Sequence, residues 1–208
     1  MSTISAPLIY DTYVDPAFPD SVFYNRRRLV VGIDGAALGS TPWGDGQGTG
    51  GLCRSWLMYD LSTIPSGSTI NSAILSLPVF WNLNQYADQY AYFTRATDIA
   101  WDGTTMTYNN APNGTLDTGN SVLVSFSTGG GFGSINITSL VSDALSTGKI
   151  SLCIQTQGDV DLFDSDFYID ITSQYYVDTY DGSKNPCTLT VDYTEPAGPR
   201  RFIVSSFT

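Results

Sequence analysis

The chain has 208 residues, 22.5 kDa and a net charge of −11, with one glutamate (Glu195), two lysines (Lys149 and Lys184) and no histidine. Few helix formers beside a 13% aromatic fraction favour pleated, half-buried surfaces, and the length suits one large all-β domain. The negative field excludes nucleic acid as a partner. The lack of histidine removes the commonest general base, the Ser–His and Cys–His nucleophiles and the usual zinc ligands.

The opening MSTISAPLIYDTYV has neither a basic nor an apolar leader region, so no secretory signal is expected and synthesis in a cytoplasm follows. No apolar run approaches the roughly 18 residues of a membrane span. Residues 9–14 and 28–33 read as strands, and Arg26, Arg27 and Arg28 are expected to pair with surface aspartates. Residues 36–51 form a glycine-dominated loop; its GDGQGTGG lacks the lysine and the strand–helix context of a phosphate loop.

Residues 55–60 read as a strand, followed by a turn at Pro65 and Gly67. A second strand over 68–80 places Ala73, Leu75, Leu77 and Val79 on one face by period-two alternation. The next loop, WNLNQYADQY, mixes amides with aromatics suited to stacking on sugar rings. Trp81, Tyr86 and Tyr90 are the candidate glycan contacts, with Trp43 and Tyr92 as further aromatics. Strands are expected over 89–95, 122–127, 134–137, 150–155, 167–176 and 188–193. A helix is expected over 139–146, with Thr138 as N-cap, Gly148 beyond its end, and Leu140, Val141, Ala144 and Leu145 on one face.

Paired carboxylates could in principle hydrolyse a glycoside, through Asp98 with Asp102 or Asp164 with Asp166. All four lie in polar loops with nothing to raise a pKa, so no catalysis is expected. The densest acidic segment, residues 158–170, offers Asp159, Asp161, Asp164 and Asp166 as candidate calcium ligands; solubility is the alternative reading. Cys53, Cys153 and Cys187 each lie in apolar runs and are expected to be free, buried thiols. After a Pro- and Gly-containing stop, PRRFIVSSFT forms an apolar arm in which Arg200, Arg201, Phe202, Ile203, Val204 and Phe207 could join a neighbouring subunit or close an edge of the chain's own sheet.

Several segments, in order, resemble the DNRLRE domain family: DTYV from Asp11, RSWLMYDL from Arg54, IPSGSTINSAILSLPVF, TDIAWDGTTMTYNNAP, INITSLVSDALSTGKISLCIQT and CTLTVDY. The most specific block holds Trp101, Asp102, Thr105, Thr107, Tyr108, Asn109, Asn110 and Pro112. It resembles a W-D-x-x-x-x-T-W-N-N-x-P signature, with Tyr108 where tryptophan is usual. The resemblance implies a β-sandwich of jelly-roll type found in surface proteins, polysaccharide-degrading assemblies and phage particles. Its relatives include non-catalytic carbohydrate-binding modules, some for acidic polysaccharides such as alginate. Trp101 and Tyr108 are then expected to close the sandwich.

The expected architecture is an all-β, antiparallel sandwich with one short helix, a domain over 1–193 and an arm over 194–208. The expected function is structural: a virion component such as a phage capsid decoration, head fibre or tail subunit. It would assemble as a homo-oligomer with other virion or surface subunits, without nucleic acid or membrane. The alternative is a carbohydrate-binding module for a surface or acidic polysaccharide, located extracellularly or on a cell surface.

Overall fold

Alternation of buried and exposed residues converts most of the described chain into strands, and these stack as two antiparallel sheets. The computed structural model describes residues 1–16, 18–24, 26, 28–33, 52–84, 89–126, 134–156, 167–179 and 186–197. The smaller sheet joins β1 (Ser2–Ala6), β12 (Thr188–Thr194), β5 (Thr69–Ser76) and β9 (Ser134–Asn136), in that order. The larger runs β6 (Val79–Asn84), β11 (Phe167–Thr172), β3 (Arg28–Ile33), β4 (Leu52–Asp60), β10 (Lys149–Thr156), β7 (Gln89–Ala96) and β8 (Leu116–Phe126). β4 also pairs with β2 (Leu8–Val14): its start, Leu52 and Cys53, meets β3, and Arg54 to Tyr59 meet β2. The fold is therefore the all-β sandwich that the sequence predicts.

Between the sheets, Leu57 and Tyr59 of β4, Phe93 of β7 and Ile150 and Leu152 of β10 pack against Ala73 and Leu75 of β5 and Leu189 and Val191 of β12. In β5 the alternation keeps Ala73 and Leu75 fully buried, in register with Val191 and Leu189. The strand predicted over 68–80 divides at Pro78. Proline cannot donate to a ladder, so it is excluded from the interior of a central strand such as β5. The chain crosses there from the small sheet to the large one. Only residues 85–88 then join β6 to β7, a link of at most about 17 Å. Five strand spacings in a flat sheet would need about 24 Å. The large sheet therefore curls around the core.

The helix α1 (Thr138–Ala144) closes one end with Leu140, Val141 and Ala144 buried, and Gly148 follows in the left-handed region at φ 68°. Thr138 is not its N-cap. Its hydroxyl accepts the Ala73 N–H at 2.9 Å, while its own N–H and hydroxyl both donate to Asn136 Oδ1. The strand predicted over 167–176 also stops early, and a second short helix, α2 (Gln174–Thr179), takes its place. The Ser173 hydroxyl donates to the Arg26 carbonyl at 2.5 Å, and the Gln174 N–H donates to Asp11 Oδ2 at 2.6 Å. A carboxylate 163 positions away thus caps α2, which no local pattern could announce.

A second apolar layer lies on the opposite face of the large sheet. Val14, Trp56, Ala96, Met106 and Cys153 are buried there beneath Trp101, Tyr108, Ala111 and Leu116. Residues of the W-D block build this cover. The Trp101 indole donates to Ser151 Oγ at 2.8 Å, and its ring lies 5.7 Å from Tyr10 and 6.2 Å from Trp56. Asp102 Oδ1 accepts the Thr104 N–H, and Asn110 Oδ1 accepts the Thr107 N–H. Asn109 donates from Nδ2 to Asp20 and from its backbone to the Pro19 carbonyl. Trp101 and Tyr108 accordingly hold the fold, but by covering the outer face of the large sheet and not, as the sequence suggested, by closing the sandwich.

Gly103 sits at a close approach: a Cβ there would lie 3.0 Å from Tyr10 Cβ and 3.2 Å from its ring, so Tyr10 would have to shift. Gly103→Ala is expected to destabilise by about 1–3 kcal/mol through overpacking, read as a lower urea midpoint. An unchanged midpoint would show that the cover yields freely. All three cysteines are buried thiols outside any disulfide, and burial pushes the Cys153 thiol up to about 12. They behave as small apolar residues, in agreement with the sequence.

Candidate functional site

In β7, Ala91 and Phe93 are buried in the main core, so Tyr90 and Tyr92 face the other way. Residues opposite one another across an antiparallel ladder share a face. Tyr92 is opposite Leu123 of β8 on one side and Gln155 of β10 on the other, and Tyr90 is opposite Ser125. The β4–β10 ladder ends with Ile154 opposite Ser55, and extending its register by one residue sets Gln155 beside Arg54. Arg54, Gln155, Tyr92 and Leu123 therefore form a row across four strands, about 14 Å long at the usual spacing. The preceding row, Trp56, Cys153 and Thr94, is buried under the W-D block. The outer face is thus half covered and half open.

On the open half, Tyr90, Tyr92 and Gln155 are half-buried, Ser125 is exposed and Leu123 is 45% exposed. The cover holds one end of the row: Arg54 Nη1 donates to Asn113 Oδ1 at 2.8 Å. The faces of the two tyrosines offer negative quadrupoles to the C–H groups of a sugar ring. Gln155 and Ser125 supply amide and hydroxyl partners, and Arg54 supplies a cation. A few convergent polar groups around an aromatic floor are what small-ligand recognition uses.

Of the aromatics singled out from sequence, Tyr90 and Tyr92 lie on this face. Trp81 has its backbone in β6, in register with Asp170 of β11. Tyr86, Trp43, the arm residues Arg200, Arg201, Phe202, Ile203, Val204 and Phe207, and the candidate calcium ligands Asp159, Asp161, Asp164 and Asp166 lie outside the described residues. Among the described residues no group of three or more acidic, cysteine or histidine side chains is placed to hold a metal. The Arg26 guanidinium lies over the Phe23 ring at 5.8 Å. The sequence reading did not reach Arg54, Leu123, Ser125 or Gln155. The available signal was the alternation around Ala91 and Phe93, which turns Tyr90 and Tyr92 outward but does not identify their neighbours.

Of the carboxylates weighed for catalysis, Asp164 and Asp166 lie outside the described residues, and Asp98 and Asp102 shape loops. Asp98 Oδ1 accepts the Ala100 N–H. Asp102 takes both the Thr104 hydroxyl and N–H, and these bonds hold its pKa below the ordinary value. Asp11 is the contrasting case. Only 7% exposed, it is pushed up to about 6 by burial, with Asp178 adding repulsion and the Gln174 N–H opposing the rise. Tyr59 and Cys187 lie close enough to feel its charge and are themselves held neutral by burial.

The folded chain holds the Asp11 proton more tightly than the unfolded chain does. Its contribution to stability is therefore full below pH 3.8 and is lost as pH rises through about 6. Asp11→Asn is expected to melt above the wild type near pH 7.5, with the gap closing at about pH 4. A gap independent of pH would rule out the buried charge as its cause.

A family model described as carbohydrate-binding module family 96 matches residues 2–174, from the start of β1 to the first residue of α2. No curated protein matches the chain.

Proposed function

The chain belongs to carbohydrate-binding module family 96, and from this we propose that it is a non-catalytic module binding an extended polysaccharide along Arg54, Gln155, Tyr92 and Leu123. The single observation that carries the site is the half-buried tyrosine pair on the outer face of β7, flanked in register by an amide and an apolar side chain. Arg54 at one end of the row favours a carboxylated or sulfated sugar, because a guanidinium matches such oxygens with paired hydrogen bonds. Affinity electrophoresis of the full chain through gels containing neutral or acidic polysaccharides tests this. Retardation by an acidic polysaccharide without new reducing ends is the expected result. Absence of retardation in every gel refutes binding, and release of reducing ends refutes the non-catalytic reading.

A second reading, in which the module is a subunit of a phage particle or another surface assembly, is favoured by the sequence RFIVSSF beyond β12. An apolar segment of strand-forming residues gains by adding to a neighbouring sheet. Truncation after Pro196 should then abolish assembly into particles while the domain keeps its circular dichroism. Normal assembly by the truncated chain refutes this role for the arm. Calcium held by Asp159, Asp161, Asp164 and Asp166 would lower the thermal midpoint on chelation, and an unchanged midpoint removes it.

A further inference from the structure

β8 is the last strand of the large sheet beyond β7, and among the described residues nothing pairs with its free edge. Such an edge is a template for another strand unless it is blunted by proline, charge or a bulge. The part of β8 in regular register with β7, residues 121–126, contains neither proline nor charge. It exposes Leu123 at 45%, and half-buried Val122 and Val124 sit at the rim of the core on the other face. The irregularity in β8 falls earlier, where the register shifts opposite Thr94 and Ala96. There Asp117 is drawn back to Arg95 at 3.0 Å, and Asn120 bonds Asp143. The strand's one charged residue is thus held by its own chain, and the stretch beyond it is left smooth and uncharged.

Residues 121–125 read S-V-L-V-S, which is a palindrome. Antiparallel pairing of this stretch with a copy of itself about Leu123 sets serine against serine, valine against valine and leucine against leucine. A two-fold axis sets residue i against j and j against i, and here the palindrome makes every such pair like with like. The charge of −11 makes two copies repel over most approaches, and an uncharged edge strip is where they can meet. We propose that β8 is a homodimer interface in which two copies join edge to edge, antiparallel about Leu123, into one continuous sheet.

The pairing has a consequence for the outer face. Leu123 ends the row Arg54, Gln155, Tyr92, Leu123, so the two-fold axis joins two such rows into one line across eight strands. The dimer would then present a symmetrical surface with Arg54 at both ends and Tyr92 twice within it. The interface itself stands on the edge and the palindrome alone, whether or not a saccharide occupies that row.

Sedimentation of the full chain over a wide concentration range tests the proposal. The wild type is expected to show a reversible species of twice the 22.5 kDa monomer mass. Leu123→Asp and Leu123→Lys, both at a position that faces solvent in the single chain, should each sediment as monomers with unchanged circular dichroism. Mixed in equal amounts, the two variants should regain the doubled mass, because the opposite charges would face each other across the axis. A wild type that stays monomeric up to its solubility limit overturns the proposal. So do charged variants that still dimerise alone, or a mixture that remains monomeric.

Discussion

Trp56→Ala is expected to lower the unfolding free energy by about 3–5 kcal/mol, the largest stability effect of any single truncation considered for this chain. Trp56 is fully buried on the outer face of β4, among Val14, Ala96, Met106 and Cys153, with Trp101 edge-on at 6.2 Å. Alanine would leave a void beneath the W-D block, whose hydrogen bonds fix its loops and prevent full collapse. Domains of this kind are stable by only about 5–15 kcal/mol, so the variant should unfold at a much lower urea concentration. Trp56→Phe should cost distinctly less. It keeps most of the apolar volume and removes an indole N–H that has no acceptor among the described residues. A loss below about 1 kcal/mol for the alanine variant would show that the cover does not rest on Trp56.

Tyr92→Ala is expected to weaken polysaccharide binding about 30-fold, the effect of removing an aromatic anchor worth about 2 kcal/mol. The melting temperature should barely move, because Tyr92 lies outside the main core and its side chain is only half-buried. Tyr90→Ala should weaken binding less, since Tyr90 stands one row away from Gln155 and Arg54. Isothermal titration with the polysaccharide retained in the gel assay measures both. Unchanged binding by Tyr92→Ala, with loss on Trp81→Ala, would move the site from the β7–β8 face to the β6 segment. Both proteins must keep the wild-type fold for the comparison to hold, and circular dichroism verifies this.

The two predictions depend on one division of the outer face. Residues 97–115 cover one half and bury Trp56, while the other half leaves Tyr92 half-buried. Where the cover ends is marked by Arg54, whose guanidinium bonds Asn113 of the covering segment while its strand neighbour Gln155 lies on the open side. Stability and recognition are therefore separable by mutation, although they share the strands β4, β7 and β10.

The sequence by itself determined the class of fold, the place of most strands, the helix α1 and the burial of the cysteines. It also marked the W-D block as a structural unit. These follow from local causes: period-two alternation, Gly and Pro punctuation, apolar runs around each cysteine and short polar side chains that bond nearby backbone. Tertiary structure alone decided the crossing at Pro78, the cap that Asp11 places on α2, and the neighbours of Tyr92. Alternation states which residues share a face of one strand but does not say which strand lies alongside or in what register. Arg54, Tyr92, Leu123 and Gln155 come from four strands, and only the ladder joining β4, β10, β7 and β8 places them in one row.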